Sequence, residues 1–236
     1  MARKAAEKAS EILRRVLKEK DQVCFVAATG ASQFEFLEML CKMRDIDWAR
    51  TEMFHLDEYI GISDTHPASF RNYLKNQLVN KVHPGKVHFI QGDAKDPEGE
   101  RIRINKLIMA REINVAFIGI GENGHIAFND PPADFETGEP YIIVDLDERC
   151  RQQQVNEGWF ASIEEVPRKA ISMSVKQIMK ANYIICTCPE KRKARAVHDC
   201  LSEDAPITPM HPASILKLHK HAYIFLDNES ASLLKR

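Results

Sequence analysis

The sequence has no apolar run approaching the roughly 20 residues a helix needs to cross a bilayer, so no spanning helix is expected. It has almost no net charge, since 33 basic residues against 34 acidic ones leave −1 at pH 7. No global field therefore favours nucleic acid or an anionic membrane surface. It has no C-x-x-C pair, and its six cysteines are scattered. Cys24, Cys186 and Cys188 lie in apolar, strand-like runs, where a thiol serves as a small hydrophobe. Cys186 and Cys188 share a strand face at period two, which makes a metal site only if other ligands converge there. No metal-ligating set is assigned, and reduced, structural cysteines in a reducing compartment are expected. The first residues form a charged amphipathic pattern without an apolar signal-peptide core, so the expected location is cytoplasmic. Repeats, low-complexity tracts and linkers are also missing. With a hydrophobic fraction of 44%, residues 1–236 are read as a single domain able to bury a sizeable core.

What is present is an alternation of short apolar strands and amphipathic helices. Ala5, Ala6, Ala9, Ile12, Leu13, Val16 and Leu17 make one helical stripe. Strands are expected at 23–28, 52–56, 87–90, 113–120, 142–144, 170–173, 183–187 and 222–226. Helices are expected from Phe34, from Phe70 to Leu78, over 101–110, 147–155 and 175–179, after Pro189, over 212–218 and over 228–234. This alternation implies an α/β fold with a largely parallel sheet.

The run 113–120 has the near-continuous hydrophobicity of a strand buried on both faces, and the stretch breaks at Gly119, Gly121 and Gly124. Glycine can take backbone angles closed to other residues and lets a ligand approach the main chain. His125 and Asp130 follow, an imidazole and a carboxylate five residues apart. In open parallel sheets ligands bind where strand carboxyl ends run into loops, so this stretch is a candidate active-site wall. Thr29, Gly30, Ala31 and Ser32 lie between a strand and a helix. They read either as a phosphate cradle at a helix N-terminus or as a tight turn capped by Ser32. Asp57 and Glu58 end another strand, as a solvated turn or as a functional pair. Residues 131–140, rich in Pro, Gly and acid, read as a lid or specificity loop.

Phe54, His55, Leu56, Asp57, Glu58 and Tyr59, followed by His66, Pro67, Ala68 and Ser69, resemble a strand-end signature of the glucosamine-6-phosphate deaminase/isomerase family. Gly119, Ile120, Gly121, Glu122, Asn123, Gly124, His125, Ile126, Ala127, Phe128, Asn129, Asp130 and Pro131 are similar to its second, more specific signature. The resemblance implies a Rossmann-like three-layer α/β sandwich acting on a phosphorylated amino sugar. The expected reaction converts glucosamine 6-phosphate, or a related hexosamine 6-phosphate, into fructose 6-phosphate and ammonia, with no metal or organic cofactor. Asp57 then matches the base that moves a proton between C2 and C1. His125 matches the group that opens the sugar ring, and Asp130 matches its carboxylate partner. Thr29, Gly30, Ala31, Ser32, Gly124 and Lys193 are the expected substrate and phosphate contacts. Members commonly form trimers or hexamers, so a homo-oligomer is expected.

Three positions depart from the family pattern. Asn123 stands where an aspartate is usual, and reinstating that aspartate is expected to raise turnover. Asp130 stands where glutamate is usual, one methylene longer. A phosphate-gripping arginine corresponds to Gln154, with Arg151 one helical turn earlier as its expected substitute. The basic residues of an effector site found in some members have no match in 131–144, and the chain begins at a helix where members usually have a strand. Two other readings remain. The 6-phosphogluconolactonases share the fold and a Gly-x-Asp-Gly-His loop, but lack the Phe-Asn-acid-Pro ending seen at Phe128, Asn129, Asp130 and Pro131. A sugar-phosphate sensor without activity is the third, favoured by Asn123 and Gln154.

Overall fold

Strand β1 (Val23–Ala27) is apolar at every position because both of its faces are covered. Val23, Phe25 and Ala27 turn into one apolar cluster, while Cys24 and Val26 turn into another. The period of two that sends successive side chains to opposite faces thus feeds two cores from one short strand. The computed structural model describes residues 1–235.

Six parallel strands form the main sheet in the order β4 (Lys86–Val87), β2 (Thr51–His55), β1, β5 (Val115–Ile118), β8 (Tyr183–Cys188) and β9 (Ala222–Leu226). From β1 the chain steps outward to β2 and β4, then returns to β5 and steps the other way to β8 and β9. The boundary between β1 and β5 is therefore a topological switch point, where the loops after two neighbouring strands part and leave a crevice.

Helices α1 (Ala2–Glu19) and α2 (Phe34–Cys41) cover one face of this sheet through Ala5, Ala9, Ile12, Leu13, Phe36, Leu37 and Leu40. Each large side chain fully buried there stabilises the fold by roughly 1.5–3 kcal/mol. On the other face, Ile104 and Ile108 of one helix (Pro97–Met109) join Val26, Ala116, Ile118 and Cys186. This is the α/β sandwich with a largely parallel sheet that the alternation implied.

A second, antiparallel sheet orders β3 (Asp57–Tyr59), β7 (Lys169–Met173) and β6 (Tyr141–Asp145). The chain crosses from one sheet to the other at a single residue. Leu56 donates its N–H to Ala27 O in the main sheet (3.2 Å) and accepts from Met173 N in the small one (2.7 Å). Asp57 pairs with Ser172 immediately after this crossing. What the sequence suggested as a strand end or turn is thus the start of a new strand.

Some boundaries differ from expectation. The strand expected over 87–90 pairs only at Lys86 and Val87, extended by one bond from His88 N to Met53 O (2.8 Å). Residues 228–234 form consecutive turns rather than a helix. There the Asp227 carboxylate accepts from Ser230 N (2.7 Å) and Glu190 N (2.9 Å), a local alternative to helical bonding. Of the three glycines after β5, only Gly124 has positive φ, at 85°. Gly121 is needed for close approach instead: a Cβ there would meet the His125 ring at 2.3–2.5 Å.

Candidate active site

A cleft opens at the switch point. Its floor is the loop after β1 (Thr29, Gly30, Ala31, Ser32) and the loop after β5 (Gly119, Ile120, Gly121). Leu56, Asp57 and Phe70 form one wall, and His125, Ala127 and Phe128 another. Gln153, Gln154, Glu157, Arg192 and Lys193 complete it.

Gly30, at φ 93°, turns the chain after β1 so that Ala31–Gln33 can start a helical turn leading into α2. Gln33 then ties this loop to the neighbouring strand ends. Its Nε2 donates to Thr187 Oγ1 (2.8 Å) and Ser32 Oγ (3.1 Å). Backbone N–H groups at such a turn suit an anion.

Asp57 is only 6% exposed and faces the cleft. Burial, and then the neighbouring Glu58 charge, push its carboxyl well above the usual carboxylate range. Glu58 points the other way. Its carboxylate accepts from Ser69 Oγ (2.8 Å), Phe70 N (3.1 Å) and Arg71 N (2.9 Å), anchoring helix α3 (Phe70–Leu74) by its first turn. Arg71, bound also to Asp93 (2.9 Å), lies against it. Two adjacent acids thus take different roles, one structural and one open to a ligand.

His125 and Asp130 meet as the motif suggested, with Nδ1 2.9 Å from Asp130 Oδ1. A carboxylate can only accept, so Nδ1 carries the hydrogen and Nε2 is left to exchange a proton. Asn123 closes the group: its Nδ2 donates to the same Oδ1 (2.8 Å), and its Oδ1 accepts from His125 N (3.0 Å). Burial opposes the charge on Asp130, but the hydrogen bond and charge of His125, followed by the Asn123 amide, hold it below the usual range. Asp130 and Asn123 stand behind the imidazole rather than on the cleft wall.

Lys193 is 4% exposed and reaches the cleft from the turn after β8. Burial lowers its pKa, only partly opposed by Cys188. An ammonium held in so dry a place is stabilised by an arriving anion.

Two predicted residues lie elsewhere. Gly124 packs its α-carbon side against Cys200, where a Cβ would come within 2.9 Å of the sulfur, and its carbonyl accepts from Ala213 N (2.9 Å). Arg151 gives its guanidinium to the carbonyls of Ile163 and Val166 and does not line the cleft. The second cation there is Arg192, paired with Glu122 (3.0 Å), Glu157 (2.9 Å) and Glu190 (2.6 Å). It sits next to Lys193 in a basic cluster, which was the available signal. Helix α6 (Glu148–Asn156) does bring Gln154, the position matched to a phosphate-gripping arginine, to the cleft, but its neighbour Gln153 and Glu157 just beyond the helix were not among the expected contacts.

Two acid–base groups of different kind thus face one cleft that also holds two cations and a loop of free amides. That is equipment for proton transfer on a small phosphorylated molecule. The chain belongs to the glucosamine-6-phosphate isomerases/6-phosphogluconolactonase family, whose model matches residues 1–225. Among its relatives is the glucosamine-6-phosphate deaminase of Thermoanaerobacter sp. (strain X514), 36% identical over 235 residues, spanning 97% of this chain and 90% of that one. The glucosamine-6-phosphate deaminase of Streptococcus pyogenes serotype M1 is also 36% identical, over 88% of this chain and 86% of its own. A solved structure described as a monomeric glucosamine-6-phosphate deaminase superposes with a TM-score of 0.89 at 29% identity, covering 98% and 95% of the two chains. The 6-phosphogluconolactonase of Thermotoga maritima shares the fold, with a TM-score of 0.75 at 18% identity over 94% and 92%. No helix among the described residues is long and apolar enough to cross a membrane.

Proposed function

We propose that this protein deaminates glucosamine 6-phosphate, giving fructose 6-phosphate and ammonia. The observation that carries the reading is the placement of Asp57 and the His125–Asp130 pair on one cleft with Lys193 and the 29–32 loop. The phosphate sits against Lys193, Arg192 and the amides of the loop, at the end away from the reacting carbons. His125 Nε2 passes a proton between the anomeric hydroxyl and the ring oxygen, opening the ring, while Asp130 holds the imidazole in one orientation. Asp57 takes the proton from C2 and returns it at C1. Burial raises its pKa, which makes it a stronger base than a solvated carboxylate. This leaves an imine at C2; water adds to it, and the resulting carbinolamine releases ammonia to give the ketose.

Every residue in this scheme comes from one chain, so the proposed chemistry needs no second subunit. We treat residues 1–236 as one catalytic domain. Purified protein with glucosamine 6-phosphate is expected to release ammonia and fructose 6-phosphate in equal amounts. Hydrolysis of 6-phosphogluconolactone without ammonia release would transfer the reading to the lactonase branch. Tight binding of fructose 6-phosphate, seen as thermal stabilisation without turnover, would make the protein a sensor.

A further inference from the structure

Cys150 has no part in the scheme above, yet helix α6 delivers it behind the catalytic pair. Donor atoms of His125, Asp130 and Cys150 lie within 4.8 Å of one another, the one such His/Cys/Asp/Glu group among the described residues. All three are well covered: the His125 and Asp130 side chains are 13% and 10% exposed, and Cys150 is 2% exposed. Cys186 and Cys188, which would have needed converging ligands, have none of this kind nearby.

A second observation concerns the carboxylate. Asp130 Oδ1 already serves both Asn123 and His125, whereas Oδ2 is buried without a hydrogen-bond partner. An orphaned buried carboxylate oxygen is costly, and most such groups in folded proteins have a partner. Here an imidazole nitrogen, that carboxylate and a sulfur converge. This is the mixed N/O/S set of a borderline-soft ion, with bond lengths of about 2.0–2.3 Å for zinc. Those lengths put the donors of a tetrahedral ion about 3.3–3.8 Å apart, so a contraction on the order of 1 Å closes the group.

We propose that His125, Asp130 and Cys150 form a three-donor site for Zn²⁺ or a similar divalent cation, and that its occupancy switches the catalytic pair off. Binding breaks the Cys150 S–H bond and releases that proton to solvent, while the imidazole hydrogen moves from Nδ1 to Nε2; metal–sulfur and metal–nitrogen bonds form, with no change of oxidation state. Water fills the fourth position. The ion takes the imidazole and carboxylate that ring opening requires, so it inhibits. Only this inhibitory arm rests on the deaminase reading.

Cobalt(II) tests the site directly, because thiolate coordination gives a near-ultraviolet charge-transfer band. Titration of the purified chain is expected to saturate at one equivalent, to lose the band in Cys150→Ser, and to be reversed by added Zn²⁺. Asp130→Asn keeps the thiol but should weaken cobalt binding at least about tenfold, the scale on which metal-site partners act. In the ammonia assay, each variant referred to its own metal-free rate, Cys150→Ser should need at least about tenfold more Zn²⁺ for half-inhibition. Absence of the band in the unaltered chain, its persistence in Cys150→Ser, or equal zinc sensitivity of the two would overturn the proposal. If no ammonia is released at all, the cobalt spectra still decide the site independently of the reaction.

Discussion

Replacing Asp57 by asparagine should make the protein more stable and nearly inactive at the same time. The substitution keeps the shape and removes the charge, so no cavity opens. Burial first, and Glu58 second, raise the pKa of this carboxyl above its value in the unfolded chain. Over the interval between those two values the folded protein holds a proton that the unfolded chain has released. The stabilising contribution is therefore complete below the ordinary carboxylate range and is lost as pH rises through the folded value. Asparagine does not titrate, so its advantage is absent in acid and largest once pH exceeds the folded value. A buried polar group held without adequate compensation costs roughly 1–3 kcal/mol. For chains of this length that corresponds to a rise in Tm of roughly 2–12 °C. Thermal unfolding of both proteins from pH 8 downward, followed by circular dichroism, measures it. Turnover should fall about 10²–10⁴-fold, the usual contribution of a positioned acid–base group. An Asp57→Asn protein that is less stable at every pH, or whose gain does not shrink towards acid, would refute the argument that this carboxyl sits strained in a dry wall.

Three further substitutions probe the cleft. Gly121→Ala drives a methyl group into the His125 ring, so kcat should drop on the order of 100-fold, as for a displacement of about 1 Å at a reacting group, while sugar-phosphate binding persists in a thermal-shift assay. Asn123→Asp was expected to raise turnover, but the amide donates to Asp130, which an aspartate does only when protonated. Two facing carboxylates raise each other's pKa, so the acidic limb of the pH–kcat profile should move to higher pH and neutral turnover should fall, with recovery when Asp130→Glu is added. Lys193→Met should raise KM for the phosphorylated sugar at least about 30-fold, on the scale of roughly 2–5 kcal/mol for truncating a buried charge partner, and should leave KM for glucosamine itself little changed.

The parts of this molecule that could be read in advance are those where local chemistry repeats. Near-continuous apolar runs such as 113–120 locate buried strands, and glycines followed by His125 and Asp130 mark the loop where a strand meets a ligand. The hydrogen bond between those two side chains needs only five residues of intervening chain. The hidden parts depend on distant packing. Nothing around Leu56 announces a change of sheet, because the event is a pairing with Met173, far along the chain. Arg151 and Arg192 illustrate the same limit. Both are basic residues near helix starts, and only the tertiary placement of Ile163 and Val166 decides that one arginine braces a loop while the other meets the cleft. Cys150 looked inert because its partners come from another loop.

Helix α6 and the turn following it bring an acid as well as amides to the end of the cleft where we propose the phosphate binds, and this sets an electrostatic contest. Arg192 is held by three carboxylates, of which Glu157 alone also lines the cleft. A phosphate dianion that approaches Lys193 must draw Arg192 away from Glu157, 2.9 Å distant, and tolerate the freed carboxylate nearby. In a partly solvated pair such competition amounts to about 1 kcal/mol. Glu157→Gln should therefore lower KM for glucosamine 6-phosphate about fivefold at low ionic strength. The benefit should fade as salt is added, with most of the change in KM, since in the proposed binding mode the phosphate lies away from the bonds being broken. Initial rates across substrate concentrations at two ionic strengths measure both quantities. If KM rises instead, Glu157 aims the guanidinium at the substrate rather than contending for it, and the cleft is built to hold its second cation in place before any ligand arrives.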